Sequence, residues 1–191
     1  MRPRIQRGVR AKKEVQIGSV LIAKPFWQDE NYKRSVILIL EHERHGSAGL
    51  IVNKPSTLSI HDALPELNIL YPLHFGGPSD IKTVSYIHSN PDVPDSIYLG
   101  NDLYWGGDYD TLVEMITQKK VDIRHVRFCA GFVHWTPGQL EEEINEDKWW
   151  TDEINQHELF VTPSDDLWAY KLISSGHLYG LLSVVPDPAI N

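Results

Sequence analysis

The sequence predicts an α+β domain with about eight strands and four short helices placed irregularly among them. Three observations support this fold class. Val20–Ala23 and Val36–Leu40 are apolar on both faces, which is typical of interior strands in a covered sheet. Asp108–Lys119 has the apolar periodicity of an amphipathic helix. Strands and helices do not alternate regularly, which favours α+β over a doubly wound α/β sheet.

The strands follow from short runs of β-branched, aliphatic and aromatic residues bounded by turn residues. Glu41–Ala48 is polar and contains Gly46, so the runs on either side of it are expected to form a hairpin. The predicted strands are Val20–Ala23, Val36–Leu40, Gly49–Val52, Leu73–Phe75, Thr83–His88, Ile97–Leu99, His125–Val133, Leu159–Val161 and Leu181–Val184.

The helices are predicted from their start and stop signals. A serine cap begins a short helix over Ser59–Leu64, which Pro65 ends. Leu112, Met115 and Ile116 form the apolar stripe of the helix over Asp108–Lys119. The last predicted helix covers Asp165–Ser175 and ends at Gly176.

The segment Gly131–Ile144, GFVHWTPGQLEEEI, is the most informative part of the chain. Thr136 is a good N-cap residue, Pro137 suits the first helical position, and Gln139 completes a T-x-x-Q capping box. A helix is therefore expected to begin at Thr136, directly after a strand. Two interpretations remain open. The three glutamates form a solvated helix surface, or Trp135, Gln139 and one glutamate point into a cleft at the strand end.

Composition and charge narrow the possible classes. The chain of 191 residues has no apolar run long enough for a transmembrane helix, and its N-terminus lacks the apolar core of a secretory signal. The single cysteine, Cys129, cannot form an internal disulfide, which fits a reducing cytoplasm. It lies in a predicted buried strand and is interpreted as a packing residue.

The charge is distributed unevenly along the chain. Residues 1–14 carry six basic side chains and one acid, and they are predicted to be a flexible tail before a single domain over residues 15–191. The remainder holds 12 basic and 25 acidic residues, a net charge of −13. Such an acidic body is a poor match for a phosphate backbone, so direct DNA binding by the folded domain is not expected.

Motifs for common chemistries are missing. The sequence has no P-loop, no dinucleotide fingerprint and no nucleophile elbow, and it predicts no cofactor. His42 and His45 have an H-x-x-H spacing, but they lie in the predicted hairpin turn, where a surface turn is a simpler interpretation than a metal site. The turn Gly76–Ser79 could offer N–H groups to an anion, although a glycine-proline turn suffices.

The segment around Trp135 resembles the signature of the YqgE/AlgH family, which runs aromatic-x-G-W-x-x-G-Q-L-E-x-E. Phe132 stands where tyrosine is common, and His134 stands where glycine is common. Gly18–Pro25, His42–Pro55 and Phe75–Pro78 are similar to three further family segments. The signature residues that match are Trp135, Gly138, Gln139, Leu140, Glu141 and Glu143.

The resemblance implies an α+β fold with a coiled, partly barrel-like mixed sheet, and a family without an established biochemical function. Some members carry a transcriptional-regulator label. We therefore expect a cytoplasmic, non-catalytic binding or regulatory protein with a protein or small-molecule partner and no membrane partner. The alternatives are a transcriptional regulator that acts through a protein partner, or a hydrolase or transferase with a cleft near Trp135 and Gln139.

Strand ends with small residues and amides are typical of clefts on a scaffold. The candidate cleft is predicted to bring family-like residues together around one concavity. In the alternative interpretation each residue serves only its own turn. The candidate residues are Asn53, Gly77, Trp135, Gln139 and Glu143.

Overall fold

The computed structural model describes residues 14–27 and 29–175. Within them lie ten strands, five α-helices and two short 3₁₀ turns. The strands are β1 (Ser19–Ala23), β2 (Val36–Glu43), β3 (Gly46–Ile51), β4 (Pro55–Ser59), β5 (Pro72–Phe75), β6 (Ser79–His88), β7 (Ile97–Gly100), β8 (Leu103–Trp105), β9 (Val126–Trp135) and β10 (Trp149–Glu153). The helices are α1 (Ile60–Ala63), α2 (Tyr109–Thr117), α3 (Gln139–Asn145), α4 (Gln156–Val161) and α5 (Ser164–Ser174).

The main path of the sheet runs β10-β1-β2-β3-β9-β6-β8-β7. Neighbours on this path are antiparallel, whereas β5 pairs with β9 in parallel, so the sheet is mixed. The ten-residue strand β9 joins the strands β10-β1-β2-β3 to the strands β6-β8-β7. Its first part pairs with β6, and its last three residues pair with β3.

The sheet curls until its two ends approach each other. The side chain of Asn101, which follows β7, donates to the carbonyl of Ile154, which follows β10, at 3.1 Å. Gly18 packs directly on the backbone of β7, because a Cβ at this position would lie 1.7 Å from the carbonyl oxygen of Leu99. The fold is thus an α+β half-barrel, as the sequence and the family resemblance predicted.

The curled sheet separates apolar clusters on its two faces. Val20 and Ile22 point to one face, where they pack with Leu167 and Trp168 of α5. Leu21 and Ala23 alternate to the other face, which α3 covers. A further cluster beneath α1 and α2 is built on Leu112, Ile116 and Phe128.

Most predicted elements are present with shifted ends. Ser59 caps α1 in a capping box, and Asp108 caps α2 by accepting from the Thr111 amide at 2.8 Å. The helix predicted at Asp165–Ser175 is α5, which begins one residue earlier at Ser164. The predicted tail over residues 1–14 lies outside the described residues except for Glu14, and the predicted strand at Leu181–Val184 lies outside them entirely.

The predicted strand at Leu159–Val161 is wrong, because these residues end helix α4. Asn155 begins this helix with a capping box. Its side chain accepts from the Glu158 amide at 2.9 Å, while the Glu158 carboxylate accepts from the Asn155 amide at 3.0 Å. The local apolar run predicted a strand, but the N-cap at Asn155, four residues before Leu159, favours a helix.

None of the described helices combines the length and hydropathy needed to span a bilayer.

Candidate functional site

The signature segment links β9 to α3 through a turn rather than a direct helix start. The helix begins at Gln139, and its N-cap is Gly138 in the left-handed conformation, with φ of 81°. The prediction that Thr136 opens the helix is therefore wrong. Half of the expected capping box survives, since the Gln139 side chain accepts from the Thr136 amide at 3.0 Å. Pro137 and the flexible Gly138 continue the turn instead of the helix.

Glu143 accepts hydrogen bonds from three side chains at the junction of β9 and α3, here called the signature corner. One oxygen, Oε2, accepts from the indole N–H of Trp135 at 2.9 Å and from the indole N–H of Trp149 at 2.8 Å. The other oxygen, Oε1, accepts from the side-chain amide of Gln139 at 3.3 Å. Both tryptophans are almost fully buried. Glu143 therefore differs from Glu141 and Glu142, which are exposed as the solvated-surface interpretation expected.

Aromatic rings close the corner around this carboxylate. Trp27 meets Trp149 edge-on with ring centroids 4.4 Å apart, and it stacks on Tyr32 at 5.3 Å. Burial raises the pKa of Tyr32, and the nearby carboxylates of Asp29 and Glu143 raise it further. This is a packed aromatic cluster in which the indoles of Trp135 and Trp149 donate to Glu143.

The structure places Asn53 far from this corner. Trp135 pairs with Ser47, at the beginning of β3, whereas Asn53 follows the end of that strand. Asn53 is six residue steps along the extended chain from Ser47, which corresponds to roughly 20 Å. The Asn53 side chain accepts from the Val36 amide at 2.7 Å and donates to the Arg34 carbonyl at 2.9 Å. It closes the open end of the β2–β3 hairpin.

Gly77 lies between these two positions. Its φ is 154°, and a Cβ there would lie 2.2 Å from the Phe132 carbonyl carbon of β9. Only glycine allows this close approach of two backbones. Trp135, Gln139 and Glu143 are thus in one hydrogen-bonded group, whereas Asn53 and Gly77 have separate backbone contacts. A shared binding role for the five residues stays a prediction.

A polar group is buried where β5 and β9 meet. Cys129 pairs with His74 across the two strands, and the His74 Nε2 lies 2.9 Å from the hydroxyl of Ser164. Burial, together with the charge of Arg127, lowers the pKa of His74 to about 3. Burial raises the pKa of Cys129 to about 12, against the effect of the same guanidinium. Neither group is tuned for proton transfer or nucleophilic attack near neutral pH.

Arg127, whose charge acts on His74 and Cys129, has a structural role. Its guanidinium is buried and donates to the carbonyls of Val52 and Leu159, the latter at 2.7 Å. Leu159 lies in the last turn of α4, where a cation is favoured by the helix dipole. Arg127 therefore ties the end of β3 to α4.

A buried lysine is likewise fully engaged. The Nζ of Lys171 donates to the Glu153 carbonyl at 2.6 Å and lies 3.2 Å from the Glu158 carboxylate and 3.3 Å from that of Asp152. Three partners use all three of its N–H donors. Lys171 thus joins β10, α4 and α5 and has no donor left for a substrate.

His45 lies in the turn between β2 and β3, whereas His42 lies near the end of β2 and pairs with Ser47. The prediction that both histidines lie in the turn is therefore correct only for His45. The His42 Nδ1 lies 2.8 Å from the hydroxyl of Ser47, and its Nε2 lies 3.8 Å from the Glu141 carboxylate. Over residues 14–27 and 29–175, no three histidine, cysteine or acidic side chains are grouped as metal ligands would be.

Sequence reasoning missed two apolar grooves that meet beside β6. The first, here called the β8 groove, has a volume of about 290 Å³. It is lined by Val84, Ser85, Tyr86, Asp95, Ile97, Trp105, Gly106 and Gly107. The second, here called the α2 groove, has a volume of about 340 Å³. It is lined by Ala63, Leu64, Lys82, Val84, Tyr86 and Tyr109.

Hydrogen bonds hold the aromatic walls of both grooves in place. The Tyr86 hydroxyl donates to the Gly107 carbonyl at 2.6 Å, and the Tyr109 hydroxyl donates to the Glu66 carboxylate at 2.6 Å. Burial raises the pKa of both tyrosines. The one available sequence signal was the pair Gly106-Gly107 directly after an aromatic run, and nothing in the sequence placed it beside Val84.

Comparison with known proteins gives the family. The sequence profile of the AlgH-like family matches residues 20–179. The chain belongs to the AlgH-like family. A UPF0301 protein of Chlorobium limicola is 33% identical over 177 residues, which cover 91% of this chain and 95% of that protein. A UPF0301 protein of Cytophaga hutchinsonii is 34% identical over 178 residues, covering 91% and 98%. The AlgH-like family has no established biochemical function.

Two solved structures share the AlgH-like fold. The crystal structure of a Corynebacterium diphtheriae protein superposes with a TM-score of 0.80 at 26% identity, covering 91% of this chain and 94% of that one. The solution structure of the Pseudomonas aeruginosa AlgH protein gives a TM-score of 0.70 at 24% identity, covering 92% and 98%. The second likeness concerns the fold alone.

Proposed function

We propose that this protein is a non-catalytic binding protein whose partner occupies the β8 and α2 grooves. One observation carries the proposal: two apolar grooves share Val84 and Tyr86 and form a continuous surface with fixed aromatic walls. Preformed apolar concavities with a few polar groups are the usual form of binding sites. Because Tyr86 and Tyr109 are already held by hydrogen bonds, little side-chain freedom is lost on binding.

The titratable groups support a binding role over catalysis. His74 is held neutral, Cys129 is held as the thiol, and Lys171 is saturated by three partners. In the signature corner, the indole donors of Trp135 and Trp149 are engaged by Glu143. Lys171 and Asp152 line a polar cleft of about 250 Å³, but there they pair with each other. His74 and Cys129 are buried, so they are not at an accessible cleft of the kind that catalysis uses.

A protein partner suits this chain better than DNA. Beyond residue 14 the net charge is −13, and it would repel a phosphate backbone. The proposal includes a regulatory role in the cytoplasm, with this surface as the contact for the protein partner. The predicted site residues remain a second candidate contact, because Trp135, Gln139 and Glu143 lie in the segment that resembles the family signature. Asn53 and Gly77 lie in two other family-like segments.

The test selects random ten-residue peptides, displayed on phage, against the folded protein. Peptides enriched by the wild-type protein should lose at least tenfold in affinity on Ile97→Glu, which places a charge on an exposed wall of the β8 groove. Leu70→Glu is the matched control, since Leu70 is 86% exposed and lines neither groove. Selected peptides that bind Ile97→Glu as well as the wild type, or no enrichment at all, would refute the proposal.

A further inference from the structure

The edge of β6 beside the two grooves lacks a neighbouring strand. The short strand β8 pairs with β6 only at Ile87 and His88, and one further bond joins the Gly106 amide to the Tyr86 carbonyl at 3.0 Å. Over residues 81–85, no other described strand continues the ladder on that side. On its opposite side β6 is covered, because Val84 through His88 pair with β9.

The backbone of Val84 faces this open side. In an antiparallel ladder the N–H and C=O of one residue point to the same side, and successive residues alternate. Because the Tyr86 carbonyl points to the β8 side, the N–H and C=O of Val84 do so as well. Neither group has a backbone partner in the described part of the chain. These are the groups that an added strand would pair with.

We infer that the open edge of β6 accepts an extended peptide segment of a partner protein by strand addition. This inference rests on the proposed function, since it assigns the binding mode of the same surface. The main chain of the peptide would pair with β6 over residues 81–85, in line with β8. Its apolar side chains would enter the β8 and α2 grooves on either side of Val84. Binding of this kind takes affinity from main-chain bonds and specificity from side-chain pockets.

The charges of Lys82 and Asp95 favour one orientation of the peptide along β6. Lys82 lines only the α2 groove and has no ion-pair partner in the described part of the chain, whereas the exposed Asp95 lines only the β8 groove. A peptide with an acidic residue at its Lys82 end and a basic residue at its Asp95 end therefore complements the surface. Apolar residues between those ends complete the stated chemistry of the partner.

Amide exchange tests the binding mode with a peptide selected as described above. In the free protein the Val84 amide should exchange quickly, while the Ser85 and Ile87 amides, which point to β9, should be protected. Saturating peptide should slow exchange at Val84 at least tenfold. If the peptide binds in the grooves and Val84 exchange is unchanged, strand addition is refuted and the proposed binding function stands. If no peptide binds, both are refuted.

N-methylated peptides supply a control that leaves the protein unchanged. Methylating the peptide nitrogen that pairs with Val84 should weaken binding at least tenfold, while methylating the next residue should change it less than threefold. Equal effects at both positions would contradict strand addition. In Lys82→Glu, peptides with a basic residue at that end should bind about two- to fivefold more tightly than peptides with an acidic one, as expected for an exposed ion pair. If acidic residues are still preferred there, the proposed orientation of the peptide is wrong.

A second copy of the chain could cover the same edge. Sedimentation velocity of the full-length protein distinguishes this outcome. A stable dimer whose Val84 amide is protected without peptide would show that a second copy of the chain pairs with this edge. That result would overturn the inference. A monomer with an exchanging Val84 amide is the expected result.

Discussion

Trp135 and Trp149 donate their indole N–H groups to the same carboxylate oxygen of Glu143, at 2.9 and 2.8 Å. The two rings lie at the end of β9 and the start of β10, so one side chain of α3 joins distant parts of the sheet. This explains why a glutamate in the run 141–143 is directed inward while its two neighbours face solvent. The segment that resembles the YqgE/AlgH signature coincides here with a structural junction.

Glu143→Ala should destabilise the fold by about 2–4 kcal/mol, because two buried indole donors lose their acceptor and each unsatisfied donor costs about 1–3 kcal/mol. Urea denaturation followed by far-UV circular dichroism measures the change. Glu142→Ala is the matched control, and an exposed site of this kind should change the free energy of unfolding by less than about 0.5 kcal/mol. Equal losses in both variants would show that the junction contributes nothing.

The histidine His74 should make stability fall as the solution becomes acidic. Its folded pKa is about 3, well below the usual value of 6.5, because of burial and the charge of Arg127. The unfolded chain therefore binds the proton first, so the stabilisation is fully present above pH 6.5 and decreases as the pH falls towards 3. Each pH unit in this window removes about 1.4 kcal/mol.

His74→Gln should flatten the dependence of unfolding free energy on pH between 6.5 and 5, because glutamine binds no proton in this range. Denaturant titrations at several pH values measure the slope. His45→Gln, at an exposed position of the β2–β3 turn, should leave the slope unchanged. A wild-type slope that survives His74→Gln would mean that other groups cause the acid sensitivity.

Cys129 should not react with a thiol reagent while the protein is folded. Its side chain is fully buried and its pKa is raised to about 12, so the thiolate that attacks such reagents is scarce. Labelling with a chromogenic disulfide should follow the rate of unfolding and become rapid in denaturant. An exposed cysteine introduced by Thr57→Cys provides the positive control. Fast labelling of Cys129 in native buffer would contradict the buried position.

The sequence was sufficient for elements whose signals are local. The hairpin around Gly46 and the capped helices α1 and α2 appear as predicted, because caps, turns and apolar periods act within a few residues. The strand β10 was missed, since Trp149 and Trp150 read as core anchors and their pairing with β1 is a long-range contact. The curl of the sheet likewise depends on contacts such as that of Gly18 with Leu99, which no local pattern contains.

The candidate site was predictable in part for the same reason. Trp135, Gln139 and Glu143 lie within nine residues, so one strand and one helix bring them together. Asn53 reaches its partners Arg34 and Val36 through the hairpin, and nothing local connects it to Gln139. The grooves beside β6 combine residues from α1, β6, β8 and α2, and only the tertiary fold shows that Val84 and Tyr86 lie between them.

The turn that begins α3 gives the last prediction. Gly138 has a φ of 81°, and a Cβ there would meet no atom within 4 Å, so Gly138→Ala introduces backbone strain without a clash. The left-handed conformation costs a non-glycine residue about 1–2 kcal/mol. Thr136→Ala should cost only about 0.5 kcal/mol or less, since the amide of residue 136 still donates to Gln139 and the lost hydroxyl is exposed. Thermal and urea unfolding of the two variants should therefore rank Gly138→Ala as clearly less stable. The reverse order would show that Thr136 caps the helix after all and that the helix begins with the T-x-x-Q box.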